Sequence, residues 1–166
     1  MAKEARAAGV EFRLGSAVQL FENNGRLRVG SDYGKSIGAA VVIAADGFPS
    51  TVASSAGLAD NRYSLPENVA INHQYLMDDL SIESNIAEMY MGTSIAPGGY
   101  AWIIPKNDTA ANVGVGLRTP FMKRGPGRDY LDHFVRRCPF TANKLASGKV
   151  QTMTADVLPI DGATSR

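Results

Sequence analysis

The sequence predicts an α/β lobe followed by an antiparallel α+β lobe with a covering helix. Three observations carry this. A helix runs directly into a strand at Lys3 to Leu14, as in half of a βαβ unit. The nine residues Ile37 to Ala45 are continuously small-apolar or β-branched, the pattern of a strand buried on both faces of a parallel sheet. After Asn68 the strands alternate and are separated by turn-rich stretches, as in an antiparallel sheet. The expected boundary lies at the polar, Pro66-bearing stretch Asp60 to Asn68, dividing the chain into residues 1–60 and 61–166.

In chain order, Lys3 to Ala8 is rich in helix formers and Gly9 stops it, while Val10, Phe12 and Leu14 alternate as a short strand. Two apolar stretches between Val18 and Val29 flank Asn24-Gly25, a pair that supplies positive φ for a hairpin turn. At Asp46-Gly47-Phe48-Pro49-Ser50 the buried strand ends, and Ser50 caps a short helix through Ala56 that Gly57 terminates. Strands follow at Val69 to Tyr75, Ala87 to Met91, Tyr100 to Ile104 and Ala111 to Leu117. In the last of these Val113, Val115 and Leu117 share one face, and Asn112, Gly114 and Gly116 the other, a glycine face that lets another group approach closely. Tyr130, Leu131, Phe134, Val135 and Cys138 form one helical stripe ended by Pro139, and a final strand covers about Val150 to Leu158.

Composition narrows the function classes. The 166 residues hold 17 Lys+Arg against 16 Asp+Glu, so a net charge of +1 creates no global field that attracts nucleic acid. One Cys cannot form an internal disulfide, which suits a cytoplasmic protein. No apolar run approaches the roughly 20 residues a spanning helix needs, and the first nine residues lack a signal-peptide core. His73 and His133 have no partners at metal-ligand spacing, and there is no Walker loop or Gly-x-Ser-x-Gly. Asp78, Asp79, Glu83 and Glu88 read as a hydrated loop, and Cys138 as a buried small hydrophobe.

Two constellations carry chemistry. The first is Val41 to Ser50, where a buried strand ends in Ala45, Asp46 and Gly47. Exposed amides and one carboxylate then lie at the carboxyl end of a sheet, where ligands of open α/β sheets bind; the plainer reading is a turn. The second is Pro97-Gly98-Gly99-Tyr100-Ala101-Trp102-Ile103-Ile104-Pro105, trailed by Asn112-Val113-Gly114-Val115-Gly116. Strand alternation turns Tyr100, Trp102 and Ile104 to a common apolar wall, which is either core or pocket.

The first string resembles the second fingerprint of the flavoprotein hydroxylase and geranylgeranyl reductase superfamily, and the second resembles the Pro-x-x-Tyr-x-Trp-x-Phe-Pro motif of geranylgeranyl reductases, with Ile104 in place of Phe. The usual Arg after the Ser is absent, since Ala53, Ser54 and Ser55 stand there. The resemblance runs over about residues 5 to 160. It implies a partial FAD-binding Rossmann-like lobe, with Val18, Ala45, Asp46 and Gly47 on the adenosine side of FAD. It further implies a substrate lobe in which Pro97, Gly99, Tyr100, Trp102, Ile104 and Pro105 line a prenyl-lipid cavity. There is no Gly-x-Gly-x-x-Gly, so the chain is expected to be an internal fragment, inactive alone and completed by flanking segments of its own chain. No residue stands out as the proton donor. Two related flavoprotein readings, an aromatic hydroxylase and a relative of electron-transfer-flavoprotein:quinone oxidoreductases, share the Ala-Asp-Gly strand end. A non-catalytic module for a hydrophobic ligand is the alternative from another class. Between Arg118 and Arg137 six basic residues face Asp129 and Asp132, a local excess of +4. That is either a solvated face or a peripheral contact with an anionic membrane.

Overall fold

The computed structural model describes residues 1–14, 19–23, 25–30, 36–58 and 65–160. The chain divides into two compact units, Met1–Ala59 and Asp60–Arg166.

In the first unit α1 (Ala2–Ala7) precedes a three-stranded antiparallel sheet of β1 (Gln19–Asn23), β2 (Arg26–Gly30) and β3 (Ser36–Ala39), in that order. The expected hairpin forms, with Asn23 opposite Arg26 and Gly25 at φ +71°, while Asn24 lies outside the described residues. Two expectations fail here. Val10 to Leu14 is not a strand, and the run Ile37 to Ala45 is not the central strand of a parallel sheet. Its first residues belong to β3, which pairs antiparallel with β2, and the remainder is irregular with Val41 and Ile43 exposed. A parallel strand exists only through hydrogen bonds to parallel neighbours, and among the described residues it has none. The short helix α2 (Thr51–Ser55) follows the reading: Ser50 caps it, accepting from the Ala53 amide at 2.9 Å, and Gly57 leaves it at φ +67°.

The second unit is a five-stranded antiparallel sheet with a helical cover. Its strands are β4 (Val69–Asp78), β5 (Glu88–Met91), β6 (Tyr100–Asn107), β7 (Ala110–Arg118) and β8 (Lys149–Pro159), in the spatial order β5-β6-β7-β4-β8. Helix α3 (Gly127–Arg136) and the short α4 (Ala142–Leu145) follow β7 in the chain. The apolar stripe of α3 settles on β4 and β7, burying Tyr130, Leu131, Phe134 and Val135 against Val113, Val115 and Leu117. Fully burying each large apolar side chain contributes about 1.5–3 kcal/mol, so this layer is the main source of the unit's stability. Tyr75, 3% exposed, adds direction by donating its hydroxyl to Asp132 of α3 at 2.9 Å. Phe134 meets the Tyr90 ring edge-on, 5.2 Å between centroids.

Cys138 is buried at the end of this layer, as a small hydrophobe should be. Glu88 departs from the hydrated-loop expectation: it lies on β5, where Lys144 donates to it at 2.7 and 2.8 Å and the Tyr90 hydroxyl also donates. A carboxylate so partnered fastens α4 to the edge of the sheet. Among the described residues no cluster of potential metal ligands occurs, and no helix is long and apolar enough to cross a membrane.

Candidate functional site

With one face of the second sheet sealed by α3, the other remains open. On it, strand alternation lines up Asn72 and Gln74 from β4, Gly114 and Gly116 from β7, Tyr100, Trp102 and Ile104 from β6, and Met89 from β5. The glycine stripe in the middle is occupied by an indole. A Cβ at Gly114 would stand 2.2 Å from Cζ2 and 2.4 Å from Cε2 of Trp102, while one at Gly116 would stand 2.9 Å from Oδ1 of Asn72 and 3.7 Å from Cζ3 of Trp102. The glycine face therefore admits the Trp102 ring over Gly114 and the Asn72 carboxamide over Gly116, where a side chain would have covered the backbone.

Around this ring is a trough of about 340 Å³, lined by Asn72, Gln74, Ala87, Met89, Tyr100, Trp102 and Ile104. Tyr100 tilts against Trp102 with centroids 5.8 Å apart. Tyr100, Ile104 and Met89 remain 44%, 46% and 59% exposed, so large apolar side chains of this unit face outwards, uncovered by its described residues. A volume in the lower part of the range of small-molecule sites, apolar walls and a few amides match a site for a mostly hydrocarbon ligand.

Of the six substrate-side residues read from the sequence, Tyr100, Trp102 and Ile104 come together in the trough. Gly99 supports it from outside: its Cβ position is 2.1 Å from the Gly116 carbonyl oxygen, so only glycine lets the start of β6 lie so close to β7. Pro97 is buried beside another cavity, of about 540 Å³, shared with Phe121 and Lys123, and its carbonyl accepts the Arg118 amide at 3.1 Å. Pro105 alternates with Ile104 and is not among the trough's lining residues. Asn72, Gln74, Ala87 and Met89 were not singled out from the sequence. The two amides had a signal, since Asn72 and Gln74 are polar at i and i+2 of β4 and so share a face, but their partner across the sheet is set by register alone.

In the first unit, Val18 lies outside the described residues. Ala45 and Asp46 are exposed, and the Asp46 carboxylate turns onto the start of α2. It accepts from Ser50 Oγ at 2.5 Å, Thr51 N at 2.8 Å, Thr51 Oγ1 at 3.0 Å and Val52 N at 3.1 Å. These bonds, the Ser50 hydroxyl foremost and then the Val52 amide, hold its carboxyl well below the usual carboxylate range. Four bonds occupy about all the acceptor positions a carboxylate offers. Gly47, at φ +84° with open space where a Cβ would be, leaves the backbone bare beside it.

Residues 68–157 match the family model described as the geranylgeranyl reductase catalytic domain. The chain belongs to the geranylgeranyl reductase family. Its relatives include digeranylgeranylglycerophospholipid reductases of Methanocella arvoryzae, 34% identical over 98% of this chain, and of Methanosarcina acetivorans, 35% identical over its whole length. The chain spans about two fifths of these relatives, 41% and 40% respectively. A solved geranylgeranyl bacteriochlorophyll reductase-like protein from Thermoplasma acidophilum superposes with a TM-score of 0.76 at 27% identity, over 95% of this chain and 40% of that one. A flavin-dependent brominase, at TM-score 0.67 and 14% identity over 93% of this chain and 41% of its own, shares the fold alone. The matched stretch of the reductase family contains the whole trough wall, from Asn72 to Ile104 and on to Gly116.

Proposed function

We propose that this chain forms part of an FAD-dependent oxidoreductase that reduces isoprenoid double bonds of a prenylated lipid, with the trough of the second unit holding the hydrocarbon. The observation that carries this is the wall of exposed Tyr100, Ile104 and Met89 around the half-buried Trp102, large and apolar, over a glycine-floored sheet. A polyisoprenoid presents only alkenes and methyls, so it is bound by removing apolar surface from water rather than by polar handles. Reduced FAD, when bound, would supply the hydride. The side chains named here bind the tail, orient it and keep water from the alkene.

The relatives named as reductases of digeranylgeranylglycerophospholipids support a prenylated phospholipid as the substrate class. The first unit is read as a partial Rossmann-like FAD lobe within residues 1–60, and the second, residues 61–166, as the substrate lobe. The residues present fit the adenosine side of FAD through backbone: Gly47 offers bare main chain, while the Asp46 carboxylate is committed to α2 and holds the turn's shape. The remaining contacts to the dinucleotide then fall to flanking segments of the parent. Peripheral contact with an anionic membrane also belongs to this reading. Arg136 and Arg137 are exposed within four residues of Phe140, itself 67% exposed, a combination of cations and an aromatic suited to a lipid interface. Since α3 covers the face opposite the trough, such a contact would anchor the protein rather than deliver the tail.

The test is reduction of a digeranylgeranyl lipid by the full-length parent with FAD and a chemical reductant, comparing wild type with Trp102→Ala and Tyr100→Ala. The expected result is a KM raised about tenfold or more in each, the effect of losing a large apolar contact of about 1.4 kcal/mol or more. Unchanged KM and kcat in both variants would remove the trough from the reaction. Binding of the lipid without reduction by the complete flavoprotein would favour the non-catalytic alternative.

A further inference from the structure

Three neighbouring strands place Gln74, Gly114 and Trp102 directly opposite one another. Gln74 pairs with Gly114 between β4 and β7, and Gly114 with Trp102 between β7 and β6. Side chains two strands apart on a sheet are ordinarily separated by whatever the middle strand carries. Here the middle position carries only hydrogen, and the outer two reach across it: Trp102 Nε1 donates to Gln74 Oε1 at 3.2 Å. The same register repeats one step along, where Asn72 faces Gly116 and Gly116 faces Tyr100. The indole has a single polar atom, and Gln74 is its acceptor among the described residues.

We infer that Gln74 is the positioning residue of the trough: its carboxamide pins the indole flat over Gly114, which keeps the space beside Tyr100 and Met89 open. An indole that lost this acceptor would turn its N–H towards water, because a half-buried donor left unmatched is costly. On this sheet the turn carries the ring off the glycine floor and into the trough. Gln74 thus acts on the bound tail through Trp102. The consequence for the tail rests on the function proposed above; the consequence for the indole does not.

Trp102 is the sole tryptophan of the 166 residues, so its optical signals report this contact without interference. The experiment compares wild type, Gln74→Met and Gln74→Glu in the full chain by near-UV circular dichroism and tryptophan anisotropy. Each protein is then titrated with geranylgeraniol, followed through Trp102 emission. Gln74→Met should lose most of the tryptophan dichroic band, lower the anisotropy and weaken geranylgeraniol binding by about fivefold, the equivalent of one neutral hydrogen bond. Gln74→Glu, which restores an acceptor at the same reach, should recover the band and the anisotropy.

A folded Gln74→Met protein with an unchanged band and anisotropy would overturn the inference. Should that variant fail to fold by far-UV dichroism, Gln74→Asn, one methylene too short to reach the indole, is read in the same way. Failure of the prenyl reading looks different: wild-type Trp102 would not respond to geranylgeraniol, while the dichroic difference between the variants would still decide the role of Gln74.

Discussion

Ser50 donates its hydroxyl to Asp46 at 2.5 Å and, with the same oxygen, accepts the Ala53 amide at 2.9 Å. The two residues together cap α2, Asp46 taking the Thr51 and Val52 amides and Ser50 the Ala53 amide, so three of the four orphan donors of the helix start are met. Helix α2 is too short to persist by itself, and this double cap is what specifies it. Replacing Ser50 with Ala should cost about 1 kcal/mol, as lost caps do, and should weaken the Asp46 turn with it.

The pH dependence of Asp46 follows from the direction of its shift. A carboxyl held below its ordinary range contributes stability that is fully present above that range, and the contribution is lost as the pH falls through the ordinary value towards the folded one. Asp46→Asn should therefore lower the thermal midpoint at about pH 7, and the gap from wild type should narrow at about pH 2.5. Melting curves by circular dichroism at both pH values check this. An equal gap at both would show that the charge of Asp46 is not what holds the turn.

Gly114→Ala puts a Cβ 2.2 Å from Trp102 Cζ2, and the indole must leave its seat. The expected cost is about 1–3 kcal/mol, as for overpacking elsewhere, with a red shift of Trp102 emission as the ring meets more water. Gly38→Ala, where a Cβ would meet open space, should stay within about 0.5 kcal/mol and serves as the control. Urea unfolding followed through Trp102 reads the first, and circular dichroism the second.

Phe134 is fully buried, joins the Tyr90 ring edge-on and stands at the centre of the layer between α3 and the sheet. Phe134→Ala should destabilise the second unit by about 3–5 kcal/mol, through lost burial and the cavity left behind. The unfolding midpoint in urea measures it, and a loss below about 1 kcal/mol would mean that the layer collapses onto the gap.

His73 is pressed against Gly127 at the start of α3, its buried Nδ1 without a hydrogen-bond partner among the described residues, and burial pushes its pKa down. Burial also lowers that of His133, helped by Arg124 and Arg137. For a base whose folded pKa is depressed, the unfolded chain binds the proton first, so stability is intact above the ordinary histidine range and falls below it. The unfolding midpoint of the second unit should thus decline between about pH 7 and pH 5. In a His73→Gln, His133→Gln double variant the decline should be shallower, and an identical slope would assign the loss to other groups.

Local pattern accounts for much of what was legible. The alternation in β6 and β7, the stripe of α3, the hairpin at Gly25 and the Ser50 cap are each decided within a few residues of chain, and they formed where the pattern placed them. The two motif strings that point to the family are likewise each contained within about ten residues of chain. The run Ile37 to Ala45 shows the limit of this, since a hydrophobic strand pattern says what a segment can do given neighbours and not which neighbours it has. Asp46 shows it again: an Asp-Gly at a strand end suits a ligand or a turn equally, and only the fold of the next six residues turned its carboxylate onto α2.

The sequence by itself determined that Gly114 and Gly116 share a bare face and that Tyr100, Trp102 and Ile104 share an apolar one, because alternation is a property of a single strand. That the indole settles over Gly114, and that Gln74 meets it there, was decided only by the register of β4, β7 and β6. Register joins residues 28 positions apart through backbone hydrogen bonds that every residue type can make, and so it leaves no mark on the residues it brings together.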